Sequence, residues 1–206
     1  MTNSRYLWAA AALLVAFSAV YFFFFRTAAI TNYPSAGTDI IAFGDSLVAG
    51  TGSTGGYDFV SLLARAAGKP IINLGNPGDT TADGLARINE LDAYKPKVVL
   101  LLLGGNDYIK RIPQEQTFAN IAAIIKDIQS REAVVLLLGV RGGIFGDHFS
   151  DEFENLRDTY RTAYISDVLD GLLGDKKYMS DQIHPNDAGY AKIAERITPV
   201  LQKLLQ

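Results

Sequence analysis

The sequence predicts an α/β domain in which a parallel sheet is covered by helices on both faces. Short, continuously apolar runs alternate along the chain with longer segments whose apolar residues recur at helical spacing. The runs are too uniformly apolar for strands with one face in water, so they indicate strands that are buried on both faces. Strands that alternate with helices in this way favour parallel pairing through helical crossovers.

Five predicted strands make up the sheet. The first, residues 39–43, is a short apolar run that ends at Gly44. The second, residues 71–74, follows Pro70, and the third, residues 98–103, has an unbroken apolar character. The remaining two strands cover residues 134–139 and the short run 163–165.

Five predicted helices separate or follow these strands, and their ends carry recognisable signals. Gly68 ends the first helix, because glycine readily takes the left-handed conformation that closes a helix. Thr80 or Thr81 caps the second helix through its side-chain oxygen, and Pro185 precedes the last one. In chain order the helices cover residues 58–67, 81–91, 117–130, 152–160 and 186–205.

The first 29 residues form a segment of their own, since residues 6–25 contain no charged side chain. As a helix this stretch is about 30 Å long, which matches the hydrocarbon thickness of a bilayer. It therefore predicts an N-terminal transmembrane helix that attaches the domain to a membrane. Residues 30–38, which contain a proline and a glycine, are predicted as a linker, and residues 39–206 as the domain itself.

Flanking charges indicate on which side of the membrane the domain lies. Arg5 and the amino terminus precede the apolar stretch, and Arg26 alone follows it, which favours a cytoplasmic amino terminus. The domain is then expected in the periplasm of a bacterium, anchored to the inner membrane. The alternative is a signal peptide cleaved near residues 27–29, with a secreted domain, although the bulky residues 22–25 fit a cleavage region poorly.

Composition excludes several classes of function. The 206 residues suffice for about one domain, and the absence of cysteine excludes disulfides, thiolate catalysis and thiolate zinc sites. The net charge of -3 argues against nucleic acid as a partner. Since His148 and His184 are the only histidines, no metal site and no cofactor are predicted.

Polar and glycine-rich motifs directly follow three of the predicted strands. Ser46 comes after the first strand, residues 75–78 come after the second, and residues 104–107 come after the third. Because the carboxyl ends of parallel strands form the ligand crevice of such a sheet, these motifs are expected to meet at one edge.

Ser46, His184 and Asp181 together supply the three groups of a hydrolytic triad. Ser46 would be the nucleophile, which needs a base to remove its hydroxyl proton. His184 would be that base, and Asp181, three residues earlier, can reach its ring across one turn and hold the required tautomer. His148 follows a glycine-rich stretch and is interpreted as a surface or substrate-lining residue.

The negative oxygen formed by nucleophilic attack needs hydrogen-bond donors. The candidates are the backbone N–H groups of Ser46 and Gly78 and the side-chain amide of Asn106, which offers two donors without a charge. A side chain at position 78 is expected to block close approach to the site. Each motif alone is compatible with an ordinary turn or cap, but their occurrence together and in this order favours catalysis.

These blocks resemble those of the GDSL family, whose members are also called SGNH hydrolases after four residues. The four would here be Ser46, Gly78, Asn106 and His184. Further similarity to the lysophospholipase L1/thioesterase I/arylesterase branch of the family lies in residues 76–81, 84–87, 103–107 and 181–186. The resemblance runs from about residue 39 to the C-terminus and omits the predicted anchor.

The resemblance implies a three-layer α/β/α sandwich with a flavodoxin-like, five-stranded parallel sheet. It also implies hydrolysis of lipid, aryl or thio esters through an acyl-enzyme, without a metal. Val48 stands where the Gly-x-Ser-x-Gly elbow of the α/β-hydrolases would need a glycine, so the chain is distinct from that fold. Residues 141–150 depart from the branch where its substrate-binding loop lies, and they leave the acyl-chain length open.

Three functions are compatible with these observations. The leading hypothesis is a serine esterase that acts on small-molecule or lipid esters. A polysaccharide O-acetylesterase with the same triad is the alternative. A membrane-tethered binding protein without catalysis is a third, which the sequence disfavours because every catalytic position of the family is filled. The anchor indicates either lipid substrates at a membrane or simple retention of the domain there.

Overall fold

A computed structural model describes residues 29–140 and 149–206. The predicted transmembrane stretch, residues 6–25, lies outside the described residues, and so does His148 with residues 141–147. Among the helices that are described, none is both long enough and apolar enough to cross a bilayer.

Five parallel strands within the described residues form a single sheet. They are β1 (Asp39–Gly44), β2 (Ile71–Gly75), β3 (Pro96–Leu102), β4 (Val134–Leu138) and β5 (Ala163–Ile165). Their spatial order is β2-β1-β3-β4-β5, and every neighbouring pair is parallel. This order is that of a flavodoxin-like sheet, and it confirms the predicted fold class.

Two groups of helices cover the faces of the sheet. The helices are α1 (Ser46–Ala49), α2 (Phe59–Ala67), α3 (Thr81–Ala86), α4 (Gly105–Ile109), α5 (Gln114–Ser130), α6 (Phe149–Tyr160) and α7 (Asp187–Leu204). Helix α2 packs against α7, whereas α3 and α6 pack against α5. The chain passes outward from β1 to β2 through α2 and returns through α3 to β3, so right-handed crossovers place the two groups on opposite faces.

The central strands are buried on both faces, which explains their uninterrupted apolar sequence. All five residues of β4 are buried, as are the five residues of β3 from Val98 to Leu102. The edge strand β2 is only partly buried. Since each fully buried aliphatic side chain contributes roughly 1.5–3 kcal/mol, this central layer is a main source of stability.

The helix predicted over residues 81–91 is divided in two, so that prediction is wrong in its extent. Helix α3 ends at Ala86, and a 3-10 helix, Ile88–Ala93, follows. Between them Arg87 has a φ of -110° and a ψ of 16°, outside the α-helical region. Its guanidinium donates hydrogen bonds to the carbonyl oxygens of Gly44 and Leu74, at the ends of two strands.

Residues 30–38, the predicted linker, run along the edge of the sheet where the strands begin. The N–H of Thr31 donates to the carbonyl oxygen of Arg161, and the N–H of Thr38 donates to that of Lys95, both at 2.9 Å. Arg161 lies two residues before β5 and Lys95 one residue before β3. The chain is therefore fixed to the domain from about residue 30 onward.

Candidate active site

The predicted site residues lie beyond the carboxyl ends of the strands. Ser46 opens α1, two residues after the end of β1 at Gly44. Asn106 lies in α4, which begins three residues after the end of β3, and Gly78 lies in the turn between β2 and α3. Ser46 and Asn106 line the same cleft as His184, which comes from the loop before α7.

A tight turn fixes Ser46 at the end of β1. Oδ1 of Asp45 caps the short helix α1 by accepting a hydrogen bond of 3.0 Å from the N–H of Leu47. A β-carbon at Gly44 would lie 2.1 Å from a carbonyl oxygen of β3, and one at Gly75 would lie 2.2 Å from the backbone nitrogen of Ala49. Glycine at these two positions lets the nucleophile turn sit directly against the neighbouring strands.

Ser46, His184 and Asp181 form a continuous chain of hydrogen-bonded side chains. Nε2 of His184 lies 3.0 Å from Oγ of Ser46, and Nδ1 lies 2.7 Å from Oδ2 of Asp181. A carboxylate can only accept, so Nδ1 donates to Asp181 and Nε2 is left to accept the hydroxyl proton of Ser46. This is the arrangement that activates a serine hydroxyl for attack.

The carboxylate of Asp181 is held in its ionised form. The hydrogen bond with His184, together with the backbone N–H groups of Ile183 and His184, lowers the pKa of Asp181 to about 2. Both N–H groups donate to Oδ1 at 2.8 Å, which leaves Oδ2 for the imidazole ring. Asp181 is therefore charged at neutral pH and favours a positive charge on His184 during the reaction.

The turn that carries His184 is supported by two segments. The N–H and the hydroxyl of Ser180 donate to the carbonyl oxygen of His184, at 2.9 and 3.0 Å. Gly52 packs against this turn so closely that a β-carbon there would lie 2.3 Å from Oγ of Ser180 and 3.2 Å from Cβ of His184. In the same loop, Thr54 donates two hydrogen bonds of 2.7 Å to the carboxylate of Asp187. Sequence reasoning did not identify Gly52, since glycines at 50, 52, 55 and 56 indicate only a loop.

Asn106 is oriented by a hydrogen bond from its side-chain amide to the carbonyl oxygen of Asp79, at 2.9 Å. One amide N–H is used in this way, and the second is available to a substrate oxygen in the cleft. Gly78 precedes Asp79 but is not one of the described residues that line the cleft.

The structure shows a backbone reason for glycine at position 78, in addition to the predicted need for close approach to the site, which stays a prediction. A β-carbon there would have no neighbouring atom within 4 Å, so a side chain would meet open space. The residue has a φ of +88°, a left-handed conformation that only glycine adopts without strain. The constraint that the structure shows at Gly78 is therefore the shape of the turn between β2 and α3.

Arg87 and Asp79 connect this turn to the ends of two strands. Nε of Arg87 donates to Oδ2 of Asp79 at 2.6 Å, and the side-chain amide of Asn76 donates to Oδ1, also at 2.6 Å. The same guanidinium donates to the carbonyl oxygens of Gly44 in β1 and Leu74 in β2, at 2.9 and 3.0 Å. Sequence reasoning gave Arg87 no role, although it belongs to the Gly-Leu-Ala-Arg block at residues 84–87.

Two buried carboxylates lie behind the site. Burial raises the pKa of Asp45 to about 7, against the hydrogen bond from Leu47 and the attraction of His184, which both lower it. Asp107 accepts hydrogen bonds from the N–H and hydroxyl of Thr81, at 2.8 and 2.6 Å. These bonds join the start of α3 to α4 and hold the neighbouring Asn106 in place.

The cleft beside Ser46 has a volume of about 1030 Å³. Apolar side chains of Leu47, Tyr108, Ile109, Val140, Leu169, Leu173, Met179 and Ile183 dominate its lining. Ile109 and Ile183 remain 53% and 44% exposed, so the cleft presents an apolar rim to solvent. Across the described ranges, His, Asp and Glu side chains nowhere form a group of three or more that could hold a metal ion.

Known proteins are similar to this chain in sequence and in architecture. The chain is 31% identical to the esterase TesA of Pseudomonas aeruginosa over 83% of its own length and 91% of that protein. It is 27% identical to thioesterase 1/protease 1/lysophospholipase L1 of Escherichia coli K12, over 85% of this chain and 89% of that protein. A crystal structure of TesA superposes with a TM-score of 0.76 at 29% identity, covering 81% of this chain and 99% of the other.

The sequence profile of the GDSL-like lipase/acylhydrolase family matches residues 42–192. This range holds the nucleophile turn, the turn at Gly78, Asn106 and the turn with Asp181 and His184. The chain therefore belongs to the GDSL-like lipase/acylhydrolase family and is a carboxylic ester hydrolase.

Proposed function

We propose that the protein cleaves esters of medium or long acyl chains through an acyl-enzyme formed on Ser46. The observation that carries this proposal is the hydrogen-bonded chain from Asp181 through His184 to Ser46, which opens into a large apolar cleft. A hydroxyl, a base and an orienting carboxylate are the groups that acyl transfer needs, and the cleft offers an apolar surface for an acyl chain.

Acylation begins with Oγ of Ser46, which attacks the carbonyl carbon of the ester. Nε2 of His184 takes the hydroxyl proton as the new C–O bond forms. Asp181 stabilises the resulting imidazolium through its hydrogen bond to Nδ1. The tetrahedral intermediate then collapses, the bond to the leaving oxygen breaks, and the proton on Nε2 passes to the departing alcohol.

Three hydrogen-bond donors, each from a different segment of the chain, are assigned to bind the negative oxygen of the tetrahedral intermediate. Ser46 opens α1, so its N–H has no intrahelical partner and is available to the oxyanion. The second amide N–H of Asn106, which lines the cleft, is the second donor. The N–H of Gly78 is proposed as the third from the adjoining turn before Asp79, although Gly78 itself is not among the described lining residues. A single donor of this kind is worth about 2.7–4 kcal/mol of transition-state stabilisation.

Deacylation repeats the same steps with water as the nucleophile. Nε2 of His184 removes a proton from water, which attacks the acyl carbon and again places negative charge on the oxyanion donors. Collapse of this second intermediate breaks the bond to Oγ of Ser46, and the proton returns to the serine. The free acid leaves, and the site is restored.

Substrate preference is assigned from the lining of the cleft. An acetyl group would bury little apolar surface there, whereas each methylene of a longer chain adds about 0.8 kcal/mol when it is fully buried. The name of one similar protein, a thioesterase and lysophospholipase, supports acyl chains of this kind. The apolar lining of the cleft gives no specific support to the alternative function, a polysaccharide O-acetylesterase.

The test compares the full chain in detergent with its Ser46→Ala variant on p-nitrophenyl esters from acetyl to palmitoyl. We expect kcat/KM to rise with chain length and the variant to be inactive but folded. A preference for acetyl esters would instead favour polysaccharide deacetylation. Binding of the esters without cleavage by either protein would favour the non-catalytic binding protein, and full activity in the variant would overturn the role of Ser46.

We also propose that residues 6–25 anchor the domain to the bacterial inner membrane, with the site in the periplasm. The support is the uncharged sequence of this stretch and the placement of Arg5 before it. Fractionation of cells that express the full chain tests this proposal. An uncleaved protein in the membrane fraction is expected, whereas a shortened protein in the soluble fraction would indicate a cleaved signal and a secreted domain.

A further inference from the structure

The polypeptide joins the domain at the edge of the sheet where the strands begin. Besides the bonds of Thr31 and Thr38, the side-chain amide of Asn32 donates to the carbonyl oxygens of Gln129 and Ala133, at 2.8 and 3.1 Å. Ala133 is the residue directly before β4. Residues 31–38 therefore contact the starts of three strands, namely β3, β4 and β5.

Further hydrogen bonds and apolar packing strengthen the attachment of this segment to the domain. The hydroxyl of Thr31 adds a bond of 3.0 Å to the carbonyl oxygen of Tyr160, and the hydroxyl of Tyr33 donates to that of Lys203 at 3.1 Å. Ile30 packs against the hydrophobic core. The segment before residue 30 therefore joins the domain on the side where the amino-terminal ends of the strands lie.

The cleft lies at the opposite edge. Ser46 and Asn106 follow the ends of β1 and β3, whereas the attachment contacts residues that precede strands. A strand rises about 3.3 Å per residue, so the six and seven residues of β1 and β3 separate the two edges by roughly 20 Å. The two edges face opposite directions along the strand axis.

The tether between the proposed anchor and the domain is too short to reverse this arrangement. Four residues lie between Phe25 and Ile30, so the five Cα–Cα steps from one to the other span at most about 18 Å when fully extended. A domain of this size is roughly 40 Å across, from the usual relation between chain length and radius of gyration. To turn the cleft toward the anchoring membrane, the tether would have to pass around the domain, which exceeds its reach.

We infer that the cleft opens away from the membrane that holds the anchor, and that the substrate is an ester dispersed in the aqueous phase. This inference rests on the proposed esterase function and on the proposed anchor. The substrate class is then a single-chain amphiphile or other ester that exchanges through water, delivered to the apolar rim at Ile109 and Ile183. Lipids that remain within the anchoring bilayer are excluded, so the anchor retains the enzyme and does not present it to that bilayer.

The first experiment measures the orientation independently of catalysis. Because the chain has no cysteine, Lys95→Cys and Ile109→Cys each introduce one attachment point for a fluorophore, at exposed positions on either side of β3. The full-length variants are reconstituted in liposomes that contain an acceptor dye on the lipid headgroups. We expect the label at position 95 to lie nearer the bilayer by about 20 Å, the length of the strand between them. Equal transfer from both labels, or stronger transfer from position 109, would overturn the inference.

The second experiment measures what the orientation does to substrate access. Proteoliposomes are given either a water-soluble p-nitrophenyl ester or a two-chain fluorogenic phospholipid built into the same bilayer. A variant with a flexible Gly/Ser insert of about 30 residues before Ile30 has a mean span of roughly 30 Å and a much longer reach. We expect the insert to raise cleavage of the phospholipid several-fold and to leave cleavage of the soluble ester unchanged.

The possible results distinguish failure of this inference from failure of the proposed esterase function or of the proposed anchor. Cleavage of the bilayer phospholipid at equal rates with and without the insert, in a protein active on the soluble ester, overturns the orientation. Loss of the soluble activity itself points to failure of the esterase proposal. Recovery of a shortened protein outside the liposomes points to failure of the anchor proposal.

Discussion

The guanidinium of Arg87 lies 2.6 Å from the carboxylate of Asp79, and the backbone oxygen of the same aspartate accepts the 2.9 Å hydrogen bond from Asn106. Asp79 therefore joins an arginine outside the cleft to an amide inside it. Because that arginine also binds carbonyl oxygens at the ends of β1 and β2, the ends of these strands set the position of Asn106. Arg87 acts as a positioning residue for the proposed oxyanion donors.

Replacement of Arg87 by Met is expected to lower kcat about tenfold to a hundredfold, since a complete loss of one oxyanion donor costs about 10²–10³. KM should change little, because the apolar lining of the cleft is untouched. Arg87→Lys keeps the charge but cannot bind Asp79 and two carbonyls with one planar group, so an intermediate kcat is expected. Steady-state kinetics on a p-nitrophenyl ester, with thermal unfolding in parallel, provide the measurement.

Arg131 supplies the matched control. It forms ion pairs with Asp127 and Asp92, and it lies in the loop between α5 and β4, at the edge of the sheet remote from the cleft. Arg131→Met should lower stability modestly and leave kcat unchanged. A fall in kcat of similar size in both variants would mean that loss of stability explains the effect, and the positioning role would be rejected.

Gly52 offers a second test of positioning, this time of the histidine. Gly52→Ala would place a β-carbon 2.3 Å from Oγ of Ser180 and 2.6 Å from the carbonyl oxygen of Pro185, on either side of His184. The turn must shift, and a misplacement near 1 Å can cost about a hundredfold in rate. We expect kcat to fall by roughly that factor, measured under saturating substrate.

Gly56→Ala is the control that distinguishes the steric clash of Gly52→Ala with the histidine turn from the backbone strain that both variants share. Both glycines have a positive φ, of +93° at position 52 and +82° at position 56, so alanine is strained at either site. A β-carbon at position 56 would meet only one atom within 4 Å, on Arg65 at 3.9 Å. Gly56→Ala should therefore lose stability but retain kcat. Equal losses of kcat would show that strain in the loop, and not contact with the histidine turn, controls activity.

The sequence predicted the sheet well because burial on both faces demands an unbroken apolar run. The strand predicted over residues 39–43, for example, is observed as Asp39–Gly44. The helix predicted over residues 81–91 failed at Arg87, since apolar periodicity reports which residues face the core and not the polar contacts of one side chain. The short helices α1 and α4 escaped prediction because one turn carries no period to detect.

The same distinction applies to the site. Ser46 and Asn106 could be placed from sequence, because each follows a strand and parallel strands end at a common edge. Gly52 and Arg87 could not, because their importance comes from contacts with residues that are distant in sequence, such as Ser180 and Leu74. Short motifs reveal the catalytic groups from sequence. The residues that position those groups can be identified only from the folded structure.

Asp45 predicts an unusual dependence of stability on pH. Its pKa is raised by burial to about 7 in the folded protein and is about 3.9 in an unfolded chain. Between pH 4 and pH 7 the folded state therefore holds a proton that the unfolded state has released, so a rise in pH favours unfolding. This one group should lower the free energy of unfolding by up to roughly 4 kcal/mol across that window.

Asp45→Asn removes this dependence, because an amide does not titrate and can still accept the hydrogen bond from Leu47. Urea unfolding at several pH values between 4 and 8 should show the variant gaining on the wild type as the pH rises to about 7. Asp187→Asn is the control. Hydrogen bonds from Thr54 lower the pKa of Asp187, so its contribution is lost as the pH falls, in the opposite direction and a more acidic range. A constant difference between Asp45→Asn and the wild type would show that Asp45 is already ionised at pH 4.

Asp181 combines two tasks that one pair of variants can separate. Oδ1 accepts two backbone N–H groups and so shapes the turn, while Oδ2 accepts from Nδ1 of His184. Asp181→Asn keeps an oxygen for the turn, but its amide can donate to Nδ1 and so favours the tautomer that carries the proton on Nε2, facing Ser46. That tautomer cannot take the serine proton, and kcat should fall by about 10³–10⁴ at neutral pH with little change in the unfolding midpoint. Asp181→Ala should lose activity and, in addition, stability. If Asp181→Asn instead retains near-normal kcat with an intact fold, the carboxylate serves only the turn, and His184 holds its tautomer without it.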